Sequence, residues 1–212
     1  MSGLQSAPPR EKIPRFAELD LVLVTARLRL RPIEESDVDD LFPYVSDPEF
    51  PRMLSWYAHT ERSQTLEYIR HVRAALVNNT AVTWVIEHDG RAIGCIGLDG
   101  IEFQVRAWRV DRAEIGYWIA PPMWSQGLMT EAAHAVMGCG FEVIGLHKIT
   151  VGCIVENVAS RRVIEKLGFR MVGRQEEDAW RDGRWLAMLS YELTAPEWSD
   201  VSTTMRVQRP AL

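Results

Sequence analysis

The chain has 212 residues, of which 47% are hydrophobic and 25% charged, and its 24 basic and 29 acidic residues leave a net charge of −5. A chain of this length buries roughly two thirds of its unfolded surface and builds a full core without disulfides or metal; its apolar content and low net charge exclude general disorder. The acidic surplus weighs against a protein whose task is to coat nucleic acid.

Residues 1–20 read as a flexible leader in which Pro8, Pro9 and Pro14 oppose a regular helix, and Met1–Arg10 lacks the apolar core of a signal peptide. Arg27–Ile33 alternates long apolar and basic side chains, the period of a half-buried strand. Ser36 with Asp39 three residues on predicts a capping box and a helix to about Val45. A second helix starts at Thr60 or Ser63 and ends near Asn78, with Leu66, Ile69, Val72, Ala75 and Leu76 on its apolar stripe. Val82–Glu87 and Ile93–Leu98 flank the hairpin turn Asp89-Gly90. A charged loop then leads to a strand over Ala113–Ala120, stopped by Pro121-Pro122.

Gly127 opens a long helix reaching Phe141–Ile144, and Ala132, Ala133, Ala135, Gly138 and Gly140 keep it thin enough to lie close against a sheet. Lys148–Val155 has strand length, and Asn157 or Ser160 starts a last helix that Gly168 ends. Phe169–Gly173 and Trp185–Leu193 close the order as strands around Asp182-Gly183. Strands and helices alternate without linkers or repeats, which predicts one mixed α/β domain over residues 21–198 and a tail over 199–212. The apolar stretch Ala132–Ile144 is interrupted by His134 and Glu142 and is too short to span a bilayer. Cys95, Cys139 and Cys153 form no CxxC unit, so reduced core thiols in a cytoplasmic protein are expected, and the scattered histidines give no metal site.

Chemistry concentrates between Ala113 and Phe169. After Ala120 a strand ends, a polar loop turns and a helix begins at Gly127; such a start offers unpaired amides and the positive end of a dipole to phosphate. A plain loop-to-helix start has the same sequence. Neither GxGxxG nor GxxxxGK[ST] occurs here. Asn157 and Ser160 fit a helix cap, and equally a contact to an extended amide-bearing ligand at a strand end.

Five segments are decisive together: Thr25–Pro32 (TARLRLRP), Ala113–Ile119 (AEIGYWI), Trp124–Ala132 (WSQGLMTEA), His147–Thr150 (HKIT) and Asn157–Phe169 (NVASRRVIEKLGF). With Leu193–Trp198 (LTAPEW), they resemble the GNAT superfamily of acyl-coenzyme-A-dependent N-acetyltransferases, and within it the RimJ/RimL group that modifies ribosomal proteins. The resemblance runs in order over residues 25–198. It implies a GNAT-like fold with splayed central strands at Ile115–Ala120 and Ile149–Val155, and acetyl-coenzyme A as donor. The pyrophosphate loop falls on Trp124, Ser125, Gln126, Gly127, Leu128 and Met129, with Thr130 next in the helix. Trp124 and Met129 depart from the general family pattern and match the RimJ branch. Pantetheine is expected along Tyr117, Trp118, Ile119 and Ala120.

Acyl transfer from a thioester to an amine requires a proton acceptor for the amine, donors for the developing oxyanion and a proton for the leaving thiolate. Glu114 is the expected base, through a water, if burial raises its pKa; the alternative is a salt bridge to Arg109 or Arg112. The Ile119 amide is the expected oxyanion donor, Asn157 a pantetheine or water ligand, and Ser160 a donor toward the coenzyme sulfur. Direct transfer in a ternary complex is favoured, because the one thiol candidate for a covalent route, Cys153, has no histidine beside it in sequence.

On the acceptor side, Glu34, Glu35, Asp37, Asp39, Asp40, Asp47 and Glu49 occur with no Lys or Arg between 34 and 49. They form either a carboxylate rim attracting a basic protein terminus or a solvated helix face. Trp56, Tyr57, Trp180 and Trp185 are expected to line the acceptor channel. The expected activity is acetylation of a protein N-terminal amine, with a basic ribosomal protein as the expected partner; a small amine, an aminoglycoside or a lysine side chain as acceptor, and a non-catalytic acyl-coenzyme-A-binding domain, are the alternatives. No nucleic acid or membrane partner is expected, and a monomer or weak dimer fits the composition.

Overall fold

The computed structural model describes residues 8–200. Residues 1–7 of the expected leader and 201–212 of the expected tail lie outside the described residues. Eight strands form one mixed sheet in the order β1-β2-β3-β4-β5-β6-β8-β7. They are β1 (Leu23–Val24), β2 (Arg29–Pro32), β3 (Val82–His88), β4 (Arg91–Val105), β5 (Trp108–Ile119), β6 (Lys148–Ile154), β7 (Arg170–Arg181) and β8 (Arg184–Thr194). All neighbours pair antiparallel except β5 and β6, which are parallel.

Helices α1 (Val38–Val45) and α2 (Arg62–Val77) pack on one face of the sheet, around Val85, Cys95, Ile69 and Val72. The other face carries α3 (Leu128–Gly138) and α4 (Val158–Lys166), and its larger core includes Trp84, Ile96, Leu98, Ile115, Ile149, Val136 and Ile164. The small residues of α3 act as expected: Ala132 and Ala133 are fully buried. A Cβ on Gly140, just beyond α3, would stand 3.1 Å from the tips of both Ile149 and Leu98. The helix does not stay regular to Ile144; residues Cys139–Ile144 form a π turn that ends at Gly145.

Several expectations are corrected. The leader is tied down in its second half. Phe16 is fully buried and its amide donates to Asn79 Oδ1 (2.7 Å), Asn79 Nδ2 donates to Pro14 O (2.7 Å), and Arg10 Nη1 donates to Val143 O (2.7 Å). The capping boxes are Glu34 with Asp37 and Glu61 with Gln64, rather than starts at Ser36, Thr60 or Ser63. The charged loop before Ala113 is strand: Ile101 and Phe103 are buried while Glu102 and Gln104 are exposed, a period of two hidden by the surrounding charges. The last two strands likewise run longer than their apolar cores, and β7 carries a register shift between Gln175 and Ala179.

Candidate active site

Strands β5 and β6 pair only at Arg112–Lys148, Ala113–Ile149 and Glu114–Thr150. Beyond that point β5 stays on β4, ending with Ile119 opposite Gly94, and β6 stays on β8, ending with Ile154 opposite Met188. The two strands therefore diverge and leave a wedge between facing, unpaired edges. Thr150 Oγ1 donates to the Ala113 carbonyl (3.3 Å), which faces β6, whereas the Ala120 amide donates to Ile93 O (2.8 Å) on the β4 side. Peptide groups alternate along a strand, so those of Ile115, Tyr117 and Ile119 face the wedge. Trp118 and Ala120, expected on the pantetheine edge, turn their peptide groups to β4. An extended, amide-bearing chain can add to the free edge as a strand would.

At the open end of the wedge, Ser125 (φ 62°) and Gly127 (φ 76°) adopt left-handed backbone and turn the chain into α3. Gly127 caps α3 without a side-chain bond. Leu128 and Met129 bury their side chains, so these residues and Thr130 present backbone amides at the helix start. The Trp124 indole donates to Ile119 O (2.8 Å), and Gln126 Nε2 donates to Pro122 O (3.0 Å).

A cation that the sequence reading passed over stands beside this loop. Arg27 Nη1 donates to Gln126 O (3.0 Å), while Arg27 Nε (2.8 Å) and Nη2 (2.7 Å) reach Glu131. The Glu131 carboxylate also accepts from Thr25 Oγ1 (2.6 Å) and from the Arg27 amide (3.0 Å). Desolvation pushes the Glu131 pKa up, but these bonds outweigh it and hold the carboxyl below its ordinary value. Both residues lie in segments that carry the family resemblance; Arg27 reads there as strand and Glu131 as ordinary helix, because only their spacing in three dimensions joins them.

Across the wedge, Asn157 caps α4: its Oδ1 accepts from the Ser160 amide (3.0 Å), and its Nδ2 donates to Met53 O (3.3 Å). Ser160 Oγ lies 3.0 Å from the Tyr117 hydroxyl. Burial raises the Tyr117 pKa to about 12, the Ser160 bond opposing it, so the phenol is protonated near neutrality. The Tyr117 side chain was absent from the catalytic expectation, which used only its backbone. Cys153 is buried, and desolvation raises its pKa, which leaves it a poor nucleophile.

The opposite face of β5 carries Glu114, Gly116 and Trp118. Glu114 is exposed, so the burial on which its expected role as base is conditional is not met, and neither arginine of the alternative reading holds it: Arg112 pairs with Glu102 (2.7 Å) and Arg109 with Asp111. Its neighbour in register is Asp99 on β4. Above this face runs the segment between α1 and α2, which straddles the wedge. On the β5 side Phe50 packs against Trp118 (5.4 Å), Trp56 (5.9 Å) and Trp124 (6.4 Å). On the other side Arg181 Nη1 donates to Leu54 O and to Trp56 O (3.1 Å), and its guanidinium lies over the Tyr57 ring at 4.5 Å. Trp180 and Trp185 form an exposed edge-to-face pair at 5.4 Å on the β7–β8 hairpin. Trp56 and Tyr57 thus belong to the straddling segment, with the Trp180–Trp185 pair beside Arg181 in sequence.

Five of the seven acids in the run at 34–49 are held in ion pairs, while Glu34 and Asp47 bond backbone amides instead. Glu35 pairs with Arg70 (3.0 Å), Asp37 with Arg31 (2.6 Å), Asp39 with Arg62 (2.5 Å), Asp40 with Arg91 (3.4 Å) and Glu49 with Arg52 (2.6 Å). Among the described residues no cluster of three or more His, Cys, Asp or Glu could hold a metal, and no helix is long and apolar enough to cross a membrane.

Diverging central strands, an open amide edge and a helix start at its mouth make up the fold that the family shares. The Acetyltransferase (GNAT) domain matches residues 27–170, and the chain belongs to that family, whose acyl donor is acetyl-coenzyme A. The uncharacterized N-acetyltransferase YoaA of Bacillus subtilis (strain 168) is 29% identical over 177 residues, 82% of this chain and 97% of its own length. Mycobacterium smegmatis RimJ in complex with CoA-disulfide superposes with a TM-score of 0.74 at 23% identity, over 84% of this chain and 89% of its own. RimL, a ribosomal L7/L12 alpha-N-protein acetyltransferase in complex with coenzyme A, gives 0.74 at 21% identity, over 82% and 97%.

Proposed function

We propose that this chain transfers acetyl from acetyl-coenzyme A to the N-terminal α-amine of a protein, a basic ribosomal protein being the favoured acceptor, by direct transfer in a ternary complex. The observation that carries the reading is the two-sided wedge: an amide edge and helix start on one face of β5, and an open carboxylate-floored cleft on the other. The exposed Tyr57 of the straddling segment and the exposed Trp180–Trp185 pair on the β7–β8 hairpin offer aromatic surfaces to a peptide, and the fold shared with RimL supports that choice.

The coenzyme fits the residues present. The amides of Gln126–Met129, with Arg27 beside them, would hold its pyrophosphate, and the wedge-facing peptide group of Tyr117 would hold its pantetheine, the Ile119 carbonyl already accepting from the Trp124 indole. The bound coenzyme supplies the acyl thioester. The Ile119 N–H is the backbone donor available where oxyanion charge develops. A carboxylate on the cleft floor takes the amine's proton, Glu114 being the one on the strand that borders the wedge. The Tyr117 hydroxyl, hydrogen-bonded to Ser160, holds the proton that a leaving thiolate requires.

The test is an acceptor screen with acetyl-coenzyme A, reading free thiol. An alanine-starting ribosomal peptide should turn over and its N-blocked counterpart should not. Turnover of a small amine with both peptides inert would overturn the protein-acceptor reading.

A further inference from the structure

The cleft floor contains a second carboxylate that the sequence reading did not single out. Asp99 is the register partner of Glu114 on β4, and the next pair on the same face, toward the wedge mouth, is Gly97 opposite Gly116. The Asp99 side chain leans over both glycines: a Cβ on Gly97 would lie 3.3 Å from Asp99 Oδ2, and one on Gly116 would lie 3.6 Å from it. Glu114 leans the other way, and a Cβ on Gly152 of β6 would stand 3.8 Å from its Oε1. Three glycines thus keep the floor open around two carboxylates, at the point where β5 and β6 part.

No arginine or lysine bonds either carboxylate among the described residues, although the chain pairs most of its other clustered acids. The groups around Asp99 are Glu114 from β5, Thr83 from β3, whose Oγ1 also lies 3.3 Å from a Cβ built on Gly97, and Tyr68 and His71 from α2. Partial desolvation and then the Glu114 charge raise the Asp99 pKa, and His71 opposes them. Burial keeps the Tyr68 phenol protonated. With no cation bonded to it among the described residues and the Glu114 charge on its register partner, Asp99 binds a proton more readily than an isolated aspartate.

We propose that Asp99 and Glu114 together receive the acceptor amine, binding it as an ammonium ion and retaining one of its protons, with Asp99 the carboxyl that holds that proton. The proposal rests on the reading of this cleft as the acceptor side. The balance is simple. The doubly ionised pair takes one proton from the ammonium and becomes singly ionised, and the neutral amine is then the nucleophile. The nitrogen's second proton is lost as the amide forms and is matched by the proton gained by the thiol. The pair returns its own proton to solvent before the next turnover.

Two measurements test this on the full chain. The first is a carboxyl carbon-13 NMR titration, which needs no acceptor. Asp99 should titrate above the ordinary aspartate value of about 3.9, and Glu114→Gln should shift it downward, because a neighbouring negative charge has been removed. The second is the pH profile of kcat/KM with acetyl-coenzyme A and the alanine-starting peptide. Asp99→Asn should lower kcat at least tenfold and displace the acidic limb, while coenzyme A affinity stays within twofold; Asp99→Glu should recover part of the rate and keep a limb. An Asp99 that titrates as an ordinary aspartate and ignores Glu114→Gln overturns the proposal, as does an unchanged rate and limb in Asp99→Asn. If the unmodified protein leaves the peptide untouched, the protein-acceptor reading fails, and the titration still decides the pair.

Discussion

Replacing Glu131 by Gln removes one charge and almost no volume, yet it should loosen the coenzyme loop. The carboxylate now accepts from Thr25 Oγ1 (2.6 Å), from the Arg27 amide (3.0 Å) and from Arg27 Nε (2.8 Å), and it pairs with Nη2 at 2.7 Å. A Gln keeps one oxygen for the first two donors but turns an NH2 group toward the guanidinium. Hydrogen bonds to charged groups contribute about 1.5–3 kcal/mol each. The Arg27 side chain is 45% exposed and Glu131 12%, so screening reduces the sum, and we expect a loss of about 2 kcal/mol. For a chain of this size that lowers Tm by about 4–8 °C. Arg27 would also release Gln126 O, which it holds at 3.0 Å, and coenzyme A should bind more weakly by about fivefold, roughly 1 kcal/mol. The Glu131 pKa is lowered in the folded chain, so its contribution is complete above the ordinary value of 4.5 and fades as pH falls through the lowered value. The stability gap between parent and variant should close in that window. Urea unfolding across pH and calorimetry with coenzyme A read these effects. A variant within 0.5 kcal/mol of the parent at pH 7 (about the scatter of a neutral surface substitution), with equal coenzyme affinity, would refute the coupling.

Tyr117→Phe removes the hydroxyl that meets Ser160 Oγ at 3.0 Å, and kcat should fall about 100-fold, the lower range for a lost general acid, with coenzyme A affinity nearly unchanged; stopped-flow thiol release measures it, and an unchanged kcat removes the pair from proton donation. Gly94→Ala should destabilise by about 1–3 kcal/mol, because its Cβ would lie 2.9 Å from Ile119 Cα and against the Trp118 carbonyl, backbone atoms that no rotamer can move; an unaltered thermal midpoint refutes that close approach. Gly127→Val should weaken coenzyme A by about tenfold, since a β-branched residue at φ 76° costs roughly 1–2 kcal/mol and distorts the start of α3; calorimetry showing equal affinity would move the phosphate site elsewhere.

Most of the fold was legible because the relevant signals are local. Asp89-Gly90 turned where the hairpin signal placed it, and the alanines of α3 lie against the sheet as their size predicts. What escaped was set by partners distant in sequence. Phe16 is an unremarkable aromatic in a Pro-rich leader until Asn79 and Phe103 surround it. Residues 99–112 look like a charged loop because their polar side faces solvent, and only the pairing of β4 with β5 makes Ile101 and Phe103 one face. The same limit governs the site. Gly127, Asn157 and Ser160 could be singled out from one stretch of chain. Arg27 beside Gly127 depends on a contact 99 residues apart with Gln126, and Asp99 beside Glu114 depends on a β-sheet register.

Register also decides what the acidic surplus can do. The carboxylates of Glu35, Asp37, Asp39, Asp40 and Glu49 are each matched by an arginine within 3.4 Å, and all five arginines come from outside the acidic run. Matched charges cancel at a distance beyond their own separation, and salt screens the remainder within about 8–10 Å. A basic protein terminus approaching α1 therefore meets mostly ion pairs; Glu34 and Asp47 lack an arginine and instead bond backbone amides at helix and turn starts. Asp99 and Glu114, which no arginine or lysine bonds among the described residues, are exposed on the sheet face beside the wedge, where their attraction is short-ranged and suits an ammonium group rather than a long basic tail. In the proposed reaction, recognition of the rest of a protein acceptor then falls to Tyr57 and the backbone of the straddling segment, which Arg181 fixes in place.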